Sequence, residues 1–292
     1  MRGLITSYIK KKTAEGLADA TIEGYCYALR DFWHYHGDSI ETTSEDIESY
    51  FCYLRSKSYS PATLRDKYAV LHAFFSYATQ AGYYSKNPVR MKKPPLPKVR
   101  ARCFTDEEIE AIMRYYADRD TFCKLRDYTI ISILFSTGIR RAELLNITAV
   151  DGASITVIGK GNKERSVPIS NALRQVLREY LPAREKVAGT CPYLIVTQDG
   201  KRLTTGGLRA IFTRLSRQTG IAGRRFSSHT WRHTYATKFL ENGGDLLSLQ
   251  KILGHADLQT TAIYLHWTDG ITAEANKKYN PLDNFKRKKF FI

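Results

Sequence analysis

The stretch Ser227 to Leu240, SSHTWRHTYATKFL, sets His229, Arg232 and His233 at i, i+3 and i+4. On a helix that spacing brings all three to one face, a costly grouping unless something anionic sits opposite. A guanidinium offers a rigid fork of donors to an oxyanion, and an imidazole moves protons near neutral pH. The residue types therefore point to chemistry on an anion.

Other polar groups elsewhere in the chain suit the same chemistry. Arg140 follows Gly138 at the end of an apolar run, and Glu143, three residues on, is placed to hold its fork. A plain Arg–Glu helix pair explains those two equally well. Lys160 lies in GKGNK, where flanking glycines allow a mobile turn to carry an ammonium into a cleft, or only to face solvent. The segment lacks the spacing of a nucleotide phosphate loop. His255 falls just after Gly254, and Tyr264 follows nine residues later. Tyr264, one of 19 tyrosines, reads on its own as a packing aromatic.

A zinc site is the competing reading, because His229 and His233 have ligand spacing and His255 or His266 could supply a third nitrogen. Against it, Arg232 would stand beside the cation, and the glutamate of an H-E-x-x-H motif is missing. Two arginines, a lysine and several histidines repel a metal and attract a phosphodiester. No metal and no cofactor is expected.

The elements that must position these groups are legible. Residues 1–90 read as four helices: near 4–14, Thr21–His36, Ser44–Lys57 and Ser60–Ala81, with Ser60-Pro61 a start signal and Gly82 a stop. Val89–Arg102, VRMKKPPLPKVRAR, carries three prolines and no acid, which makes it a stiff basic tether able to lie along a phosphate backbone. Lys92, Lys93, Lys98, Arg100 and Arg102 are its candidate DNA contacts. Thr105 and Glu108 form a capping-box pattern opening a helix to about Arg119. Lys124–Thr137 is a very apolar helix, with TIISILF running all round it, hence buried. ASITVIGKGNKERSVPIS alternates about a Gly-rich turn near Gly159–Lys163, as a β-hairpin does. Helices are expected at 171–181, 206–219, 228–242, 245–253 and 257–265. The fold class is mainly α with a small antiparallel sheet. The divisions are a helical domain over 1–90, a linker over 91–103, a second domain over 104–280 and a tail over 281–292.

Charge narrows the ligand further. The chain of 292 residues carries 45 Lys and Arg against 29 Asp and Glu, a formal +16. Residues 1–90 hold 11 basic against 10 acidic side chains, whereas 91–292 hold 34 against 19, so nearly all the excess lies in the later part. Such asymmetry favours nucleic acid or an anionic membrane surface. The five cysteines are scattered, with no C-x-x-C pair, and read as reduced thiols of a cytoplasmic protein. No apolar run has the length of a secretory signal core or a membrane span.

The boxes STGIRRAEL, VIGKGNKERSVPI, HTWRHTYAT and LGHADLQTTAIY, in that order, resemble the catalytic boxes of the tyrosine recombinases, the phage-integrase and Xer-type site-specific DNA recombinases. The likeness covers most of 104–266. The helical 1–90 segment resembles, less specifically, the family's N-terminal SAM-like DNA-clamping domain. The resemblance implies Arg140 and Arg232 as phosphate-binding arginines, Lys160 as the hairpin general acid, and Tyr264 as the nucleophile. It makes His229 a base or a positioner of Tyr264 and gives His255 a hydrogen bond to the phosphate. Glu143 would support Arg140, and His233 would stand outside the catalytic set. The implied reaction joins Tyr264 to a 3′-phosphate, then reverses onto another strand's 5′-hydroxyl, without ATP or metal. Trp231 departs from the family's frequent leucine, and Arg141 from a small or apolar residue.

The implied partners are double-stranded DNA with a specific recombination site and three further copies of the chain in a tetramer on that DNA. The tail NPLDNFKRKKFFI would dock on a neighbour, hold DNA, or be no more than a frayed end. A type IB topoisomerase-like enzyme and a DNA-binding regulator without cleavage are the rival readings.

Overall fold

Two helical units, Met1–Val99 and Arg100–Ile292, make up the chain. The structure is a computed structural model, and it describes residues 1–39, 41–96, 103–159, 164–221, 226–255, 257–262 and 264.

The first unit contains α1 (Arg2–Ala14), α2 (Asp19–His36), α3 (Ser44–Ser56) and α4 (Pro61–Gln80). Their starts follow local chemistry. Thr43 and Asp46 form a reciprocal capping box on α3, and Ser60 caps α4 ahead of Pro61. Leu29, Phe32, Leu54, Leu71, Phe74 and Phe75 fill the core. Within it, Asp31 Oδ2 accepts from Tyr50 Oη at 2.6 Å and Lys67 Nζ at 2.5 Å, so the buried ammonium is paired. Met91–Leu96, part of the basic stretch, lies within this unit. Tyr68 Oη donates to the Met91 carbonyl, Pro94 is buried, and Lys92 and Lys93 are exposed. Lys98, Arg100 and Arg102 lie outside the described residues.

The second unit is built round α6 (Phe122–Thr137), preceded by α5 (Asp106–Tyr115). Helices α8 (Asn171–Ala188) and α10 (Ser228–Glu241) pack directly on α6. Ile130, Ile131, Ile133 and Leu134 are fully buried, as the apolar stretch TIISILF requires. Short α7 (Arg141–Leu145) leads to the antiparallel pair β1 (Ser154–Ile158) and β2 (Glu164–Pro168), with Ile155 opposite Val167 and Val157 opposite Arg165. Helices α9 (Thr205–Thr219), α11 (Leu246–Leu253) and α12 (Leu258–Ala262) complete the described elements. Trp231, the departure from leucine, is fully buried against Phe104 and Phe135.

The largest departures from the expected helix ends are those of α5 and α8. Helix α5 stops at Tyr115, not near Arg119, because the Arg119 guanidinium folds back onto the Tyr116 carbonyl and lies 4.4 Å from the Tyr128 ring centroid. Helix α8 runs past Pro182 to Ala188, not to 181. The missing proline N–H is tolerated because the last turns are tied down: Arg184 donates to the carbonyls of Cys191, Tyr193 and Leu194, and Ala188 is buried.

Candidate active site

The site forms where α11 ends. The last carbonyls of a helix have no partner within it and carry the negative end of its dipole. At α11 they face three guanidiniums. Arg165 Nε donates to Ile252 O at 3.3 Å. Arg232 Nη2 donates to Leu253 O at 2.8 Å. Arg140 reaches Leu253 O at 3.4 Å and Gly254 O at 3.3 Å. Gly254 ends the helix in the left-handed region at φ 64°, and a side chain there would sit 2.9 Å from the Arg165 guanidinium carbon.

Arg232 is carried by α10, whose start is fixed by Ser227 capping Thr230. Its side chain is buried, and Nη1 donates to Gly138 O at 2.7 Å. That carbonyl is presented by the left-handed residue ending α6, where a Cβ would meet Tyr235 and Leu253. Burial and the neighbouring Arg140 draw the Arg232 pKa down to about 10, which leaves it charged at neutral pH.

Arg140, at the start of α7, keeps 40% of its side chain exposed. Its backbone N–H donates to Glu143 Oε2 at 2.7 Å and its Nη1 to Oε1 at 3.1 Å. The Glu143 carboxylate, only 3% exposed, also takes Arg165 Nη1 at 2.6 Å and Nη2 at 3.0 Å. Burial pushes its pKa up, but the Arg165 bonds, the Arg140 amide and both positive charges outweigh it and hold the carboxyl below its usual range.

His255 follows α11 and accepts through Nε2 from Arg232 Nη2 at 2.7 Å, while Nδ1 lies 2.8 Å from Thr261 Oγ1. Burial first, then Arg232, Arg140 and Arg165, lower its pKa to about 4. In this arrangement Nε2 of His255 faces Arg232. Tyr264, just beyond α12, is 2% exposed and packs among Ala236, Leu240, Leu249 and Leu253, with the His233 ring centroid 5.6 Å away. Burial raises its pKa, opposed by the adjacent Arg232 and Arg140 charges and an Arg232 hydrogen bond. Both readings of Tyr264 meet here, since the ring packs in an apolar cluster while its oxygen stands beside the arginines.

His229, in the first turn of α10, is exposed, whereas His233 is half-buried, its pKa lowered by burial, His229 and Arg232. The three polar residues of that helix therefore face different degrees of solvent. Lys160 lies outside the described residues. Among the described residues no group of three His, Cys, Asp or Glu could hold a metal ion, and no helix is long and apolar enough to cross a membrane.

Arg165 escaped the sequence reading. Its signal was alternation: Arg165 and Val167 share one face of β2, and Val167 is fully buried, so an arginine beside it needs an acid.

Residues 102–270 match the model of the phage integrase family, and residues 4–83 match that family's N-terminal SAM-like domain. The chain belongs to the phage integrase family, the tyrosine recombinases. It is 30% identical over 297 residues to the tyrosine recombinase XerD of Listeria innocua serovar 6a, covering 96% of this chain and 99% of that one. Two solved structures share the integrase fold. One is the Tn1549 transposon integrase in complex with transposon right-end DNA, with a TM-score of 0.78, 20% identity, and coverage of 94% of this chain and 98% of that one. The other is a lambda integrase tetramer bound to a Holliday junction, with a TM-score of 0.75, 17% identity, and coverage of 90% and 76%.

Proposed function

We propose that this tyrosine recombinase cleaves and rejoins DNA at a specific site through a 3′-phosphotyrosyl bond to Tyr264. The observation that supports the reading is the convergence of Arg140, Arg232 and His255 on the C-terminal end of α11, with the Tyr264 hydroxyl beside Arg232. Arg140, partly exposed, offers the open edge at which a phosphate oxygen can sit, and Arg232 backs it from the interior. Both stabilise charge that builds on the non-bridging oxygens as the phosphorus becomes five-coordinate.

Tyr264 Oη forms the new P–O bond as the bond to the 5′-oxygen breaks, with Lys160 as the general acid for that oxygen. A base must take the phenolic proton, and exposed His229 supplies it or positions Tyr264 for another acceptor. His255 acts by holding Arg232 in orientation. Because the phenol is buried and its pKa raised, attack needs the segment after α11 to turn the hydroxyl toward the phosphate. Rejoining to another strand's 5′-hydroxyl conserves the bond energy.

Exchange between two duplexes needs four strand cleavages, which supports a tetramer on DNA. Lys92, Lys93, Lys98, Arg100 and Arg102 would bind DNA phosphates. The test is a supercoiled plasmid carrying two copies of a DNA site selected by the protein, incubated with chelator and without ATP. Recombinant circles that require both copies support the reading. Relaxation of a one-copy plasmid at the same rate, without recombinants, would favour a topoisomerase, and binding without strand breakage a regulator.

A further inference from the structure

We propose that Arg165 is a positioning residue for strand cleavage: it holds the Glu143 carboxylate in the orientation that fixes Arg140, and it ties β2 to the C-terminal end of α11. The proposal rests on the recombinase reading.

Geometry carries it. Glu143 offers two oxygens, and Arg165 and the Arg140 unit each donate to both of them. Arg165 thus supplies half the donors to a carboxylate that is almost wholly buried. The carboxylate in turn grips both the backbone and the guanidinium of Arg140, the more exposed phosphate-facing arginine. The same Arg165 side chain donates to Ile252 O and packs its guanidinium on Gly254, whose carbonyl receives Arg140. Arg165 touches the two things that hold Arg140.

The charged and titratable groups around Glu143 are Arg140 ahead of α7, Arg165 on β2 and Arg232 on α10, with His255 beyond Arg232. Without Arg165 the carboxylate loses a bidentate partner in a dry setting, so its proton affinity rises. Once protonated, it releases Arg140.

The experiment measures the single-turnover rate of covalent adduct formation on a nicked duplex bearing the selected site, from about pH 5 to 8. The proteins are full-length wild type, Arg165→Gln, Arg165→Lys, Glu143→Gln and the Arg165→Gln/Glu143→Gln double variant, with DNA affinity and thermal unfolding measured on each. Arg165→Gln is expected to cleave about 100-fold more slowly with unchanged DNA affinity. Its rate is expected to fall further on acidification, through a limb shifted toward neutral pH relative to wild type. Arg165→Lys restores the charge without the fork, so the limb returns toward the wild-type position and the rate is intermediate. The double variant is no slower than the slower single one. Wild-type cleavage by Arg165→Gln, or an equal slowing at every pH with the limb unmoved, would overturn the proposal. Should Arg165→Gln fail to fold, Arg165→Lys decides: an intermediate rate supports the proposal, and a wild-type rate overturns it. If wild type itself forms no adduct, the recombinase reading falls, an outcome distinct from any change confined to the Arg165 variants.

Discussion

Arg232 Nη2 lies 2.7 Å from His255 Nε2. A guanidinium only donates, so Nε2 must accept, the ring proton must sit on Nδ1, and Nδ1–H points to Thr261 Oγ1 at 2.8 Å. His255 is therefore neutral and fixed in one tautomer by an arginine that it in turn orients.

This tautomer has a pH signature. The His255 pKa is lowered from 6.5 to about 4, so folding favours the neutral ring. Its stabilising contribution is full above the unfolded value and is lost as pH falls from 6.5 through about 4. Nitrogen-15 NMR at neutral pH is expected to show His255 protonated on Nδ1, with titration near the lower value. An Nε2–H tautomer, or titration in the ordinary histidine range, would contradict the geometry.

Glu143 carries the opposite charge logic. Its carboxyl is held below the usual range by Arg165 and Arg140 against the cost of burial, so it stabilises the fold above the ordinary glutamate pKa, and that stability is lost on acidification. Glu143→Ala leaves the half-buried Arg165 without its acid and is expected to cost about 3 kcal/mol in urea denaturation at pH 7. A loss near zero would mean that the three-residue grouping contributes no stability.

Gly138 joins backbone conformation to the site. At φ 59°, with an added Cβ running into a Tyr235 ring carbon and 2.8 Å from Leu253, Gly138→Ala is expected to destabilise by roughly 1–3 kcal/mol and to displace the carbonyl bound by Arg232. Denaturation with unchanged stability would show that α6 can end another way.

Arg232→Lys keeps the charge but loses the fork that reaches Gly138 O, Leu253 O and His255. Adduct formation is expected to fall on the order of 100- to 1,000-fold, with little change in DNA affinity, since the residue is buried. Equal losses in binding and cleavage would place its contribution in ground-state binding.

Lys92 and Lys93, both exposed, are expected to act through phosphate charge. Replacing both by Gln should weaken specific and nonspecific DNA alike and flatten the salt dependence, with the slope of log K on log salt falling by roughly one per contact removed. An unchanged slope would remove them from the interface.

Much of this site was legible because its residues sit in ordered boxes and its helices announce their starts, as Thr105–Glu108 and Ser60-Pro61 do. What escaped notice depends on tertiary neighbours. Pro182 reads as a stop, yet Arg184 secures the turns beyond it. Arg165 reads as one more charge in a basic hairpin, until the register opposes it to Val157 and the α7 carboxylate meets it. Spacing likewise gave His229, Arg232 and His233 one face, but burial separates them: Arg232 is drawn inward to the carbonyls of Gly138 and Leu253.

The central claim is that Tyr264 Oη forms the covalent bond to DNA, and the most direct measurement maps that bond. Wild type and Tyr264→Phe are each incubated with the nicked site duplex, digested with protease and nuclease, and examined by mass spectrometry for a nucleotide-bearing peptide. The expected result is a 3′-phosphonucleotide on the Tyr264 peptide in wild type and no adduct in Tyr264→Phe. A nucleotide on any other residue, or an adduct that survives in Tyr264→Phe, would contradict the account.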